Sequence, residues 1–273
     1  MTHRGISPLL IAADAYFDGA PRTDAEALET GAFTLFVSRT PWAYYARPVR
    51  SHSQALSREN IEVLAAMCKE RKVDLVLEWV HELHPELAEL ATTFGLDVTS
   101  HALMTLDANE PVQAPAVDAV MRVVDADEPA LLQARAVAAV SFGMGGTGIG
   151  PAGAARRELA ARTLAPKLAE HLRDRAHRGL TVTAVAETSD GVVAAASYQP
   201  VGETAEVLAV ATLPVVRRQG LAASVTAKLA QHARESGVRL LLLSAQNDDV
   251  ARVYSRIGFR RIGMVCAAEP PRA

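Results

Sequence analysis

The stretch Leu208-Ala209-Val210-Ala211-Thr212-Leu213-Pro214-Val215-Val216-Arg217-Arg218-Gln219-Gly220-Leu221-Ala222 passes from a β-rich segment through a tight basic turn into the start of a helix. Phosphates suit that arrangement. The first turn of a helix leaves backbone N–H groups without intrahelical acceptors, and the aligned peptide dipoles place positive potential there. Gly220 and Ala222 carry no side chain that would block a close approach, and Arg217 and Arg218 add charge.

The elements around this stretch are read from hydrophobic period and punctuation. Val120 to Val124 reads as a strand, with Asp127 capping a helix through Ala130 to Val140; a glycine-rich loop follows. Arg156 to His177 is helical, and Pro166 must kink it or begin a second helix, because proline lacks the donor for the preceding turn. Leu180 to Glu187, Val192 to Tyr198 and Ala205 to Thr212 read as a three-stranded meander, the first two strands joined by the hairpin turn Ser189-Asp190-Gly191. Helix from Gly220, strand Arg239 to Ser244, helix Asp248 to Arg256 and strand Phe259 to Cys266 complete the C-terminal part.

Upstream, Phe33 to Val37 is a strand, followed by the aromatic segment Trp42 to Tyr45. Arg58 to Glu70 is helical, Asp74 to Val80 a strand, Pro85 to Thr93 a helix and Asp97 to Leu106 a strand preceded by Gly95. The run Val73 to Gly95 has the same order of elements as Val238 to Gly258 and nearly the same spacing, which reads as a diverged duplication. Between the halves, Asp107 to Pro115 holds two prolines and no periodicity, so the boundary falls near Val112 and divides the chain into domains 1–112 and 113–273. The first carries 9 basic and 16 acidic residues, the second 19 and 15. A net charge of -7 in the first could steer a cationic amine, and the excess in the second suits an anionic ligand.

Two pieces of sequence then resemble a known family. Arg217-x-x-Gly220-x-Ala222 after a strand looks like the acyl-CoA pyrophosphate loop of the GCN5-related N-acetyltransferase superfamily. Asn247-x-x-x-Ala251-x-x-Tyr254-x-x-x-Gly258-Phe259 is similar to that superfamily's second motif, and the element order from Val120 to Cys266 is the one its fold requires. The resemblance implies an α/β (α+β) fold with a mixed, mostly antiparallel central sheet flanked by helices, here in tandem. It further implies that acetyl-CoA lies in a V-shaped gap where Ala205 to Thr212 splays from Arg239 to Ser244.

On that resemblance Val210, Ala211 and Thr212 pair with the pantetheine, the donors of Arg217, Arg218, Gln219, Gly220, Leu221 and Ala222 hold the pyrophosphate, and Asn247 lies near the pantetheine arm. Side-chain truncation at most of these positions should be mild. Gly220 is the exception, where a Cβ would crowd the phosphates. Tyr254 matches the superfamily's general acid: a phenol of pKa about 10 keeps its proton at neutral pH and can pass it to a thiolate whose conjugate acid lies at about 8.5. Glu206 resembles the carboxylate that some members use to deprotonate the acceptor, and His232 is a weaker candidate read as a surface residue. The N-terminal half resembles the degenerate copy of some two-domain bacterial members, since Ala91 stands where the repeat would want Tyr254 and Arg47 to Ala55 holds no glycine.

The function implied is an acetyl-CoA-dependent N-acetyltransferase acting by direct attack on the thioester in a ternary complex, with a small-molecule amine as acceptor. A non-catalytic acetyl-CoA sensor is the second reading. Cys68 and Cys266 have no evident base partner and make neither a disulfide framework nor a metal cluster. Gly143-Met144-Gly145-Gly146-Thr147-Gly148 satisfies a dinucleotide pattern but follows a helix rather than a strand, so a mobile lid beside the acceptor is the better functional reading. His81-Glu82-Leu83-His84 spaces its histidines three apart with proline next, so no metal is expected. The formal charge of -3 argues against nucleic acid, and no run is long and apolar enough for a membrane helix. The start lacks the pattern of a signal peptide. A cytoplasmic monomer or homodimer is expected.

Overall fold

The computed structural model describes residues 7–50, 55–107 and 109–271; part of the stretch Arg47 to Ala55, residues 51–54, lies outside them, as do the first six residues and Ala108. In chain order the elements are α1 (Pro8–Gly19), a 3-10 turn (Ala20–Thr23), β1 (Ala25–Glu29), β2 (Phe33–Ser38), β3 (Ala46–Pro48), α2 (Arg58–Arg71), β4 (Leu77–Val80), α3 (Leu87–Phe94) and β5 (Asp97–Asp107). There follow β6 (Val120–Val123), α4 (Pro129–Gly143), α5 (Ala154–Arg162), α6 (Pro166–His177), β7 (Val182–Thr188), β8 (Gly191–Val201), β9 (Thr204–Thr212), a 3-10 turn (Pro214–Val216), α7 (Leu221–Glu235), β10 (Leu240–Ala245), α8 (Asp248–Ile257) and β11 (Arg260–Glu269).

Two compact units emerge, one built from Met1–Met104, Ser244–Ala251 and Arg261–Ala273, the other from Thr105–Leu243 and Arg252–Arg260. In the first, the strands run in the order β1-β2-β3-β4-β11-β5. β1 with β2, β2 with β3 and β4 with β11 are antiparallel, while β3 and β4 are parallel and joined through α2. The last strand of the chain is therefore inserted beside β4, with Cys266 opposite Trp79. On one face Leu35, Leu77 and Trp79 pack against Ile61 and Leu64 of α2 and Leu87 of α3. Ser57 begins α2 with a capping box, its hydroxyl accepting from the Asn60 amide while Asn60 accepts from the Ser57 amide.

On β3, Arg47 is fully buried and paired with Asp14 of α1. Nearby on β4, burial pushes the Glu78 carboxyl up to about 7, while the Arg47 charge pulls the other way. A group whose folded pKa lies above its unfolded value contributes stability below the unfolded pKa and loses it as pH rises through the folded one. Glu78→Gln should thus raise the thermal midpoint at pH 8, where the wild-type carboxylate is ionised under enclosure, and leave it nearly unchanged at pH 4.5. Melting curves at the two pH values check this, and an equal shift at both would contradict it.

The second unit runs β10-β9-β8-β7-β6, with β10 and β9 parallel through α7 and the rest a meander. The small side chains of Ala184, Ala186 and Ala194 to Ala196 on β7 and β8 let α4 settle closely, and Leu131, Ala134 and Val137 interleave with Val185, Val193 and Ala195. Pro166 opens a separate helix at its first position, so three helices rather than two stand between β6 and β7. Asp127 does not cap α4. Glu128 holds the N-cap position ahead of Pro129, its carboxylate accepting from the Asp125 amide, and Asp127 instead pairs with His177. The mostly antiparallel sheets flanked by helices agree with the fold class read from the sequence.

Three elements had no reading in the sequence: α1, β1 and β3. β4 is shorter than the expected Asp74 to Val80, and α3 starts at Leu87 because a run of turns precedes it, in which the amides of Leu83, His84 and Leu87 bond carbonyls three residues back. No helix among the described residues is long and apolar enough to cross a membrane.

Candidate active site

The parallel ladder between β9 and β10 consists of three pairs, Thr204–Leu240, Ala205–Leu241 and Glu206–Leu242. Beyond Glu206 the two strands part, so Val207 to Thr212 present main-chain groups that β10 does not pair. A bulge lies in this free length. Ala195 faces Ala211 and Ser197 faces Leu208, leaving Ala209 and Val210 opposite Ala196 alone. Ala209 takes a left-handed φ of 53°, which bends the strand where pairing is lost. Val210, Ala211 and Thr212 lie beyond the last pair with β10; the Thr212 carbonyl accepts from Ser141 and Arg217, and among the described residues its buried hydroxyl has no hydrogen-bond partner.

After Thr212 the chain makes the Pro214–Val216 turn and enters α7. Among the described residues the main-chain amides of Arg218, Gln219, Gly220, Leu221, Ala222 and Ala223 donate to no protein acceptor; the first amide of α7 to do so is that of Ser224, which bonds the Gly220 carbonyl at 3.0 Å. No side chain caps this end. Six successive bare donors at the positive end of a 15-residue helix can bind an anion of diphosphate size.

The two arginines do not stand free beside those amides. Arg217 donates from Nη2 to the Ser141 carbonyl at 2.8 Å, from Nη1 to the Gly148 carbonyl at 2.9 Å and from Nε to the Thr212 carbonyl at 3.4 Å. Its own amide bonds the Pro214 carbonyl. Arg218, at φ 67°, donates from Nε to the Thr147 carbonyl. Both guanidinium groups therefore hold the loop between α4 and α5.

Gly220 has a left-handed φ of 82°, and a Cβ there would sit 3.1 Å from Pro115 Cγ and 3.3 Å from Val117 Cγ1. The protein's own connector would be crowded by such a Cβ. That connector is fastened along its length: the Glu110 carbonyl accepts from Arg234, the Gln113 amide donates to the Ile257 carbonyl at 3.1 Å, and the Pro115 carbonyl accepts from the buried Ser224 hydroxyl at 2.9 Å. Pro111 also lies against Gly258, 3.3 Å from a Cβ built there. One extended segment touches both the bend at Gly220 and the turn that follows Tyr254. Pro115, Val117, Ser224 and Ser141 were missed by sequence reasoning, and no local pattern marks them.

Tyr254 lies on the buried face of α8, its ring edge-on to Phe259 at 6.0 Å. Burial pushes its phenol up to about 12. The hydroxyl has no hydrogen-bond partner among the described residues, so its proton is held and uncommitted. Glu206 is half-buried at the last parallel pair, opposite Gln199 of β8. Asn247 caps α8, its Oδ1 accepting from the Val250 amide at 3.0 Å. His232 is engaged through Nδ1 with the Tyr198 hydroxyl at 3.1 Å.

The thiols of Cys68 and Cys266 are buried, and burial pushes both up from their ordinary values, Asp74 and Glu82 adding to the effect in turn. Thiolate is scarce at either. Among the described residues no cluster of three His, Cys, Asp or Glu side chains could hold a metal ion.

Residues 154–259 match the model of the acetyltransferase (GNAT) family. No curated protein sequence matches the chain. The fold resembles that of a GCN5-related N-acetyltransferase from Kribbella flavida, 19% identical, with 98% of each chain covered and a TM-score of 0.71. A GCN5-related N-acetyltransferase from Sphaerobacter thermophilus is 15% identical, with 91% of this chain and 77% of that one covered at a TM-score of 0.57. A tandem GNAT protein from the clavulanic acid biosynthesis pathway is 14% identical, covering 88% and 79% at 0.54. At such identities the likeness shows a shared fold, and it agrees with the family match over the region that contains the bare amides and Tyr254. Residues 154–259 thus carry the match to the acetyltransferase (GNAT) family, and the chain as a whole shares the fold of GCN5-related N-acetyltransferases.

Proposed function

We propose that the protein is an acetyl-CoA-dependent N-acetyltransferase that transfers an acetyl group to the primary amine of a small molecule by direct attack within a ternary complex. The observation that carries this reading is the row of six unpartnered amides from Arg218 to Ala223 at the start of α7, directly after the unpaired edge of β9. The residues present fit a coenzyme A donor: bare amides for its diphosphate, and the stretch of β9 that β10 does not pair, with the Thr212 hydroxyl, for its amide-bearing arm. Bound acetyl-CoA supplies an activated thioester carbonyl and a sulfur leaving group.

The chain's own residues do the rest. Arg218 to Ala222 bind and orient through main-chain donors, and Val210 to Thr212 align the arm as an added half-strand would. Tyr254 holds a proton at its hydroxyl for the departing sulfur. Glu206, near the point where β9 and β10 part, takes the proton that the attacking amine must shed. Asn247 fixes the start of α8 and so the helix that presents Tyr254. Residues 113–273 form the donor-binding part in this reading, and 1–112 a diverged copy in which β3, α2 and β4 repeat the parallel arrangement of β9, α7 and β10 without a tyrosine at Ala91.

Incubation with acetyl-CoA and a panel of small amines, read as release of free thiol, tests the proposal. At least one amine should give acceptor-dependent release. Calorimetric titration with CoA runs beside it: binding without release from any amine would favour a sensor, and no heat of binding would remove the donor site altogether.

A further inference from the structure

The stretch from Phe142 at the end of α4 through the loop to Ile149 has no buried side chain, and Phe142, Met144 and Ile149 are exposed apolar groups with relative accessibilities of 63%, 51% and 69%. Nothing in its own core pins it. Gly145 and Gly146 both take left-handed φ values, so the loop has wide conformational freedom when untied. What ties it is a set of polar contacts with the segment after β9: Arg217 on the Ser141 and Gly148 carbonyls, Arg218 on the Thr147 carbonyl, and the Gly150 amide on the Pro214 carbonyl. The Ser141 hydroxyl adds a bond to the Thr212 carbonyl at 2.8 Å, which Arg217 also reaches. The loop therefore abuts the C-terminal end of β9, at the mouth of the gap where β10 no longer pairs.

Arg217 is the centre of this clasp. Its three nitrogens are each committed to a carbonyl, one at the end of α4, one in the loop and one at the end of β9, and its amide is committed as well. A guanidinium so occupied offers no paired N–H fork to a phosphate. We propose that Arg217 is a positioning residue for the acceptor side of the reaction: it holds the α4–α5 loop against the end of β9, so that the acceptor amine meets a fixed wall, while the donor's diphosphate is left to the backbone amides that follow. This rests on the acetyltransferase reading above.

Arg217→Ala should raise the acceptor KM about tenfold, as expected for two or three charge-assisted bonds in part-exposed surroundings, while the Kd for CoA changes less than about threefold. Arg217→Lys, which can serve a single carbonyl at a time, should fall between. Hydrogen exchange of residues 144–150 should accelerate in the alanine variant with the thermal midpoint kept, a readout that needs no turnover. A CoA Kd raised as much as the acceptor KM, or unchanged exchange in the loop, overturns the proposal. If the wild-type protein acetylates no amine, the function proposed above has failed, and the CoA titration and exchange measurements still decide the place of Arg217.

Discussion

Tyr254→Phe should lower kcat by about a hundredfold to a thousandfold, the range in which a positioned general acid acts, and leave the affinity for CoA unchanged. The substitution removes one oxygen. The ring keeps its edge-on contact with Phe259 and its place on the buried face of α8, and the lost hydroxyl gives up no hydrogen bond to any of the described residues. Removing a buried hydroxyl without a partner spares the folded state a desolvation cost, so the thermal midpoint should hold or rise slightly. Loss of turnover with stability and binding intact is the pattern of a group needed only as the carbon–sulfur bond breaks. A pH profile sharpens the point. Because burial pushes this phenol up to about 12, wild-type kcat should not fall through pH 10, where an exposed tyrosine would lose its proton. A fall of less than threefold in the phenylalanine variant would assign the proton to solvent or to another side chain.

The parts of this site that were legible in the sequence are those whose meaning is local. A strand, a basic turn, Gly220 and an apolar helix lie within one short window, so period and punctuation sufficed to find the bend and the bare amides. Tyr254 was singled out because the motif that carries the resemblance, Asn247 to Phe259, is also local. What could not be read is set by contacts distant in sequence. Ser224 bonds the Pro115 carbonyl across 109 positions, and Arg217 reaches Ser141 across 76. A basic residue before a helix reads as a phosphate ligand because its charge is visible and its carbonyl partners are not. The proline-rich connector reads as a spacer for the same reason: composition shows that it is neither helix nor strand, and says nothing of the three hydrogen bonds that fasten it. In the other unit, β11 sits between β4 and β5 although α8 and β10 precede it in the chain, and strand partners of that kind leave no trace in an alternating pattern. The helix α1 was missed for a smaller reason. Ser7 caps it and Pro8 fills its first position, a pair that equally well begins a loop.

Gly220→Val should weaken CoA binding by tenfold or more, and Gly220→Ala by less. Two costs fall on the same residue. A backbone held at φ 82° disfavours any Cβ by roughly 1–2 kcal/mol, and a β-branched side chain suffers more. The Cβ also enters a space already filled by Pro115 and Val117, at separations where the neighbours must yield by a few tenths of an ångström. Pro115 cannot yield alone, since its carbonyl is bonded to Ser224 and Gln113 of the same segment to the Ile257 carbonyl. Strain at the bend is thus carried to the turn behind Tyr254, and kcat should fall along with affinity. Truncating the obstacle separates the two possible sources of the loss. If the connector is what the new side chain meets, Pro115→Ala combined with Gly220→Ala should recover much of the affinity that Gly220→Ala loses, a coupling measurable by titration calorimetry as a double-mutant cycle. If the new Cβ obstructs the diphosphate itself, the second substitution will recover nothing, because the ligand still meets the same methyl group over the same amides.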